Sequence, residues 1–204
     1  SDGWKHFGGG WRAMAFRYLA CAEHDQRFTE LLQRHGESPG DLYRYQQERE
    51  LFEFVINGHS AIESLYFGLH AIGYMINTTV FKMASESQVR NVTVKRTAER
   101  FATAFAETSL THAMKSMIED QQYQEWDRVR NVLAHRSLPG RTFYELGQYQ
   151  PADWFEGVTI DAGTTASRRE WLSRTLATII TATESFLTER LPLLAAGDAG
   201  SHQP

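Results

Sequence analysis

Residues 51–76 read LFEFVINGHSAIESLYFGLHAIGYMI, the longest regular apolar pattern in the chain. Apolar or small residues recur there at alternating spacings of four and three: Leu51, Val55, Gly58, Ile62, Leu65, Leu69, Ile72 and Ile76. This spacing places them on one face of an α-helix, for which Asp41 is a candidate N-cap. An apolar face of this length predicts a packing partner along all of it. We therefore treat it as the element around which the rest of the fold is built.

The segments on both sides of this stretch also have helical periodicity. A first helix is predicted from about Trp11 to Leu32, and Thr93 is a candidate cap for a third. A further helix is predicted to begin at Ser109 and to run through Leu133. It ends before Pro139, because the residue that precedes a proline is disfavoured in the helical conformation.

Residues 141–163 interrupt the helical pattern with aromatic and β-branched side chains, which predicts an extended loop or a short hairpin. A capping box, Ser167 to Glu170, then predicts a last helix that ends at Pro192. The expected fold is all-α, a bundle of four to five helices with one irregular or short β-hairpin insertion before the last helix. We expect a single domain over residues 1–194 and a disordered tail over residues 195–204.

Composition restricts the class of protein. A hydrophobic fraction of 42% over 204 residues indicates a globular chain with a real core. The single cysteine, Cys21, cannot form a disulfide within the chain, which fits a reducing compartment. No apolar run resembles a signal peptide or a membrane span, so we expect a cytoplasmic protein with no membrane partner. The net charge of -4 argues against a broadly basic surface but permits a local basic patch.

Residues 130–136 read RNVLAHR and combine a fixed cation, an amide and a titratable imidazole. The Arg130 guanidinium can hold a phosphate at two points, and His135 can exchange protons near neutral pH. Asn131 lies between them, directly after the arginine. The same Arg-Asn-Val order occurs at Arg90 without a histidine behind it. The stretch resembles the signature of the HEPN superfamily, an Arg and a polar residue followed by a His four to six residues after the Arg.

The resemblance implies a helical bundle and a metal-independent endoribonuclease that needs no cofactor. His135 would act as general base on the RNA 2′-OH or as general acid on the leaving oxygen. Arg130 would stabilise the charge on the phosphate, and Asn131 would position the backbone or the phosphate. Many catalytic members dimerise so that two motifs line one cleft, which implies a homodimer.

Helical geometry separates the two key residues of this motif. Five residues separate Arg130 from His135, which is roughly 140° of arc and about 7.5 Å of rise on an ideal helix. The two side chains therefore do not share a face. A site that uses both requires a distorted helix end or two copies of the chain.

Four further residues are assigned to substrate binding. Arg128, Arg136 and Arg141 lie near the motif and could form a basic patch. Glu63 is included because HEPN members often place a polar or acidic residue of the long second helix near the active site. His59 lies four residues before Glu63 and could form half of a metal site with it. No third ligand is evident, so we expect no metal and interpret the two as a helix pair or as residues that face the Arg130 cleft.

The leading hypothesis is a HEPN-type ribonuclease, acting as a toxin or antiviral effector on RNA, with an antitoxin or a nucleotidyltransferase as candidate partner. Two alternatives stay open. The first is a non-catalytic HEPN-like module that binds nucleotide, RNA or a protein partner. The second is a purely structural helical protein, in which Arg130 pairs with Asp127 and His135 caps its helix.

Overall fold

A computed structural model describes residues 2–135, 141–142, 153–154 and 161–199. Only the backbone is described for His135, residues 141–142, 153–154, Ala162 and 191–199. The described residues form seven helices: α1 (Asp2–His35), α2 (Asp41–Ile76), α3 (Glu86–Arg90), α4 (Val94–Ala104), α5 (Ser109–Glu119), α6 (Gln121–His135) and α7 (Ala162–Ala199). The predicted all-α class is confirmed. None of these described helices combines the length and apolarity that crossing a membrane requires.

The predicted number of four to five helices is wrong, for two local reasons. The single helix predicted from Ser109 to Leu133 is divided at Asp120, whose backbone is extended with φ −68° and ψ 131°. The polar segment after Ser85 forms the short helix α3, because the Ser85 side chain accepts a hydrogen bond from the backbone N–H of Gln88.

The described residues contain no complete β-hairpin in the predicted insertion. They show two strands of two residues each, β1 (Arg141–Thr142) and β2 (Asp153–Trp154). The strands pair antiparallel, with Arg141 opposite Trp154. The predicted connection falls on residues 143–152, which lie outside the described residues.

Helices α4 and α7 begin where a side chain can accept a hydrogen bond from a backbone N–H group of the first turn. Thr93 caps α4, as its sequence position predicts. The last helix begins at Ala162 and not at the predicted Ser167, because the Asp161 carboxylate accepts the Thr164 N–H at 2.7 Å. The α7 backbone also continues past Pro192, its predicted end, to Ala199. A proline removes one helical hydrogen bond and can be accommodated without ending the helix. The predicted tail includes residues 200–204, which lie outside the described residues, and it stays a prediction.

The chain divides into two compact units. Unit 1 comprises Ser1–Met14, Ile62–Asp120 and Arg174–Pro204, and unit 2 comprises Ala15–Ala61 and Gln121–Ser173. Helices α1, α2 and α7 each contribute residues to both units. The single domain over residues 1–194 stays a prediction.

Unit 1 has an aromatic core. Four of its buried rings contact one another, with centroids 5.1 to 6.1 Å apart: Phe81, Phe101, Phe105 and Phe186. His70 is fully buried in the same unit, where Arg100 donates a hydrogen bond to its Nε2 atom at 2.9 Å. Because a guanidinium only donates, His70 accepts this bond as a neutral imidazole.

The apolar face of residues 51–76 is buried within the protein itself. Seven of its eight residues are buried, and Ile76 is half-buried. The predicted packing partner is therefore supplied by the protein's own helices. The apolar face was one reason to expect a homodimer, and because it is buried within the chain it no longer supports that prediction. The homodimer prediction now rests on the HEPN resemblance and on the motif geometry.

Candidate functional site

Helix α6 carries the Arg130 motif and is anchored in unit 2 by Trp126. This residue is 2% exposed, and its indole N–H donates to the Val55 carbonyl of α2 at 2.9 Å. The ring occupies space that a side chain at Gly58 would need, since a Cβ built there would lie 2.2 Å from it. Val129 and Leu133 continue the buried face of α6. These contacts fix where α6 presents its polar residues.

A chain of hydrogen bonds leads from α2 to the motif arginine. The Nε2 atom of buried His59 donates to Oδ1 of Asp127 at 2.9 Å. The other carboxylate oxygen of Asp127 accepts from the Asn131 amide at 3.2 Å. The Asn131 carbonyl in turn accepts from Nη1 of Arg130 at 3.0 Å. We call these four residues the His59–Arg130 relay.

Asp127 carries the negative charge of the relay. The hydrogen bond from His59 lowers the pKa of the Asp127 carboxyl, burial opposes this effect, and the charge of Arg130 and the bond from Asn131 add to the lowering. The carboxylate is therefore ionised at neutral pH, and its side chain remains 44% exposed. The His59 ring also lies nearly parallel to the ring of Tyr123, one turn before Asp127 on α6, with 6.1 Å between centroids. Both contacts hold the imidazole against α6.

The relay positions Arg130. The His59 imidazole is too deeply buried to contact a substrate. His59 is 2% exposed, whereas Arg130 is half-buried and Asn131 is exposed. A buried imidazole that donates to a carboxylate orients that carboxylate. The chemistry available at the surface is thus an oriented guanidinium beside an amide, a pair suited to an oxyanion such as phosphate.

The structure describes the side chains of four of the predicted site residues, Arg128, Arg130, Asn131 and Glu63. Arg130 and Asn131 are joined directly, and Arg128 is exposed on the same helix. Glu63 lies on α2, one turn after His59. Its predicted role in substrate binding stays a prediction.

The C-terminal part of the motif lies at the edge of the described residues. The α6 backbone is helical through His135, whose side chain lies outside the description. Arg136 lies outside the described residues altogether, and Arg141 is described only as backbone in β1. Their predicted catalytic and substrate-binding roles stay predictions.

His59 and Asp127 are the residues whose roles the sequence did not specify. The spacing of Asp127 and Asn131, four apart on a helix, was a readable signal for their hydrogen bond. Nothing in the sequence links His59 to Asp127, which is 68 positions away. The sequence leaves two interpretations of His59 open, a helix pair with Glu63 and a residue that faces the Arg130 cleft. Both stay predictions, and the structure adds the hydrogen bond from His59 to Asp127.

The metal alternative finds no candidate ligand set in the part of the chain that the structure describes. No group of three or more histidine, cysteine, aspartate or glutamate side chains is placed to hold an ion there. The side chain of His59 is directed to Asp127.

Comparisons with family models, with curated proteins and with solved structures find no match to this chain. The HEPN resemblance therefore rests on the motif, its place near the end of α6, and the helical fold.

Proposed function

We propose that this chain is a metal-independent endoribonuclease of HEPN type, which cleaves RNA at a site shared between two copies. The observation that carries the proposal is the relay, because it holds the Arg130 guanidinium before any substrate binds. A preorganised cation is worth more to a charged transition state than a mobile one, since it needs no reorganisation during the reaction.

The reaction assigned to the motif is a transesterification. His135 takes the proton of the RNA 2′-OH, and the 2′ oxygen forms a bond to phosphorus as the bond from phosphorus to the 5′ oxygen breaks. A proton returns to the 5′ oxygen, from the histidine of either copy. Arg130 stabilises the negative charge on the phosphate oxygens. The products are a 2′,3′-cyclic phosphate and a 5′-hydroxyl.

The helical backbone at His135 supports the shared site. Of the two ways to combine Arg130 with His135, a distorted helix end receives no support from an α6 that is helical through His135. Two copies of the motif that face one cleft would bring Arg130 of one chain to His135 of the other. This proposal keeps the homodimer as an expectation.

The test is RNA cleavage by the full chain in the presence of a chelator. Arg130→Ala and His135→Ala should each lower the rate by about 10²-fold or more. Arg90→Ala is the matched control, because the same Arg-Asn-Val order occurs there on α3 without a histidine. Cleavage that is equal in all three variants would refute the assignment. RNA binding without cleavage by the wild type would favour the non-catalytic module.

A further inference from the structure

A cleft of about 270 Å³ opens within unit 2, between the C-terminal part of α1 and the N-terminal part of α2. Three arginines are among the residues that line it, Arg27, Arg34 and Arg49. Its volume is just below the range of about 300–1,000 Å³ typical of sites for drug-sized ligands. The space therefore suits a small polar group or part of an extended ligand.

One carboxylate in the cleft is neutralised by the protein itself. Glu50 is 2% exposed, accepts from His24 Nδ1 at 2.7 Å, and accepts from Arg49 Nε at 3.0 Å. Burial would raise the pKa of Glu50, but the hydrogen bonds from His24 and Arg49 lower it below its usual value. Glu50 is therefore ionised, and its charge is compensated by Arg49. The charge that the cleft presents to a ligand therefore depends on the other two arginines.

The remaining charges favour an anion. Arg34 is exposed and makes no ion pair or hydrogen bond with any other described residue. Among the described residues Arg27 pairs with Glu23 alone, on the exposed surface of α1, and an interaction of this kind contributes little stability. Against these two cations the cleft has one further carboxylate, Glu30, which accepts a hydrogen bond from Gln26. The lining residues therefore carry a net charge of +1, three arginines against Glu30 and Glu50, and Arg34 is the lining cation that has no carboxylate partner among the described residues.

Two of the cleft arginines lie on one face of α1. Arg27 and Arg34 are seven residues apart on α1, so they share a face and lie about 10.5 Å apart along the axis. At the start of α2, Tyr45 is 58% exposed, one turn before Arg49. Tyr43 is also exposed, and its ring stacks on His35 with 3.6 Å between centroids. Exposed aromatic rings beside a positive groove are the combination on which single-stranded nucleic acids bind.

We propose that the cleft of Arg27, Arg34 and Arg49 binds the phosphate groups of single-stranded RNA. The choice of RNA over a free phosphate compound rests on the proposed function, whereas the anion site itself rests on the cleft alone. Arg27 and Arg34 contact the backbone, Arg49 lines the cleft while it stays paired with Glu50, and the tyrosines stack on bases. The cleft sets the affinity for RNA and takes no part in the chemical step.

The experiment uses the full chain and a 2′-O-methyl oligouridylate of about 12 nucleotides, within the site sizes of known single-strand grooves. This probe has no 2′-OH, so binding is measured whether or not the protein is a nuclease. Fluorescence anisotropy gives the dissociation constant over a range of salt concentrations. Inorganic pyrophosphate is titrated as a competitor, to represent a free phosphate source.

We expect Arg34→Gln to weaken binding about tenfold, the usual effect of losing a charged hydrogen bond. It should also reduce the slope of log affinity against log salt by about 0.7. Glu30→Gln should strengthen binding, because it removes the opposing charge. Arg12→Gln, an exposed arginine of α1 that does not line the cleft, is the matched control and should change neither quantity.

Wild-type affinity in Arg34→Gln, or no binding by the wild type, would overturn the inference. Binding of pyrophosphate without the oligonucleotide would overturn its RNA part. If the cleft binds the probe but unmodified RNA is not cleaved, the nuclease proposal fails and this inference stands. If RNA is cleaved while Arg34→Gln binds and cleaves as the wild type does, the inference fails alone.

Discussion

Replacing Asp127 by asparagine should separate the stabilising effect of the relay from its effect on catalysis. The change keeps the shape of the side chain but removes the charge that accepts bonds from His59 and Asn131. A hydrogen bond to a charged group contributes about 1.5–3 kcal/mol when it is buried. The Asp127 side chain is 44% exposed, so solvent screening reduces this. We expect Asp127→Asn to lower the free energy of unfolding at pH 7 by about 1 kcal/mol.

The pH dependence of this loss follows from the lowered pKa of Asp127. A carboxyl group whose pKa is lower in the folded state than its unfolded value of about 3.9 contributes stability above that value. The contribution disappears as the pH falls through the folded pKa, because the native carboxylate is then protonated. The difference between wild type and variant should therefore be constant from pH 7 to about 5 and should shrink below about pH 4.

Urea unfolding at several pH values measures both quantities. Glu23→Gln is the matched control, because it makes the same chemical change in an exposed pair with Arg27. A double-mutant cycle with His59→Gln should give a coupling energy of about 0.5–1 kcal/mol, as expected for residues in one network. Cleavage should fall in Asp127→Asn, because Arg130 loses its support through Asn131. A stability difference that is absent at pH 7, or one that does not change down to pH 3, would refute this account of the relay.

Three further predictions concern burial. Gly58→Ala should destabilise the protein by about 1–3 kcal/mol, because the new methyl group meets the Trp126 ring, whereas Gly9→Ala, with nothing within 4 Å, should raise the melting temperature. Burial and the nearby charge of Arg100 lower the pKa of His70 to about 4. The free energy of unfolding should therefore decline as the pH falls from about 6.5 towards 4, because only the unfolded state binds the proton there. Urea titrations of His70→Leu should show a smaller decline. Burial raises the pKa of the Cys21 thiol to about 12, so iodoacetamide at pH 8 should label it only in urea; rapid labelling of the native protein would contradict its buried position.

Local sequence signals determined the all-helical class of this protein and the bounds of several of its helices. The apolar period of residues 51–76 and the cap candidate Asp41 predict the bounds of α2, and Thr93 predicts the start of α4. These predictions succeed because a helix depends on side chains three or four positions apart and on caps adjacent to it. The same locality made Arg130 and Asn131 recognisable as a motif.

Only the tertiary structure decided which polar groups meet. The bond between His59 and Asp127 depends on how α2 and α6 pack, and that packing is set by Trp126 against the space at Gly58. It also decided that the apolar face of α2 is covered by the chain itself. A periodic pattern reveals that a face will be buried, but not by which partner, because burial of apolar area is non-directional. The partners of His59 and of the α2 face are contacts between distant positions, and no local signal encodes them.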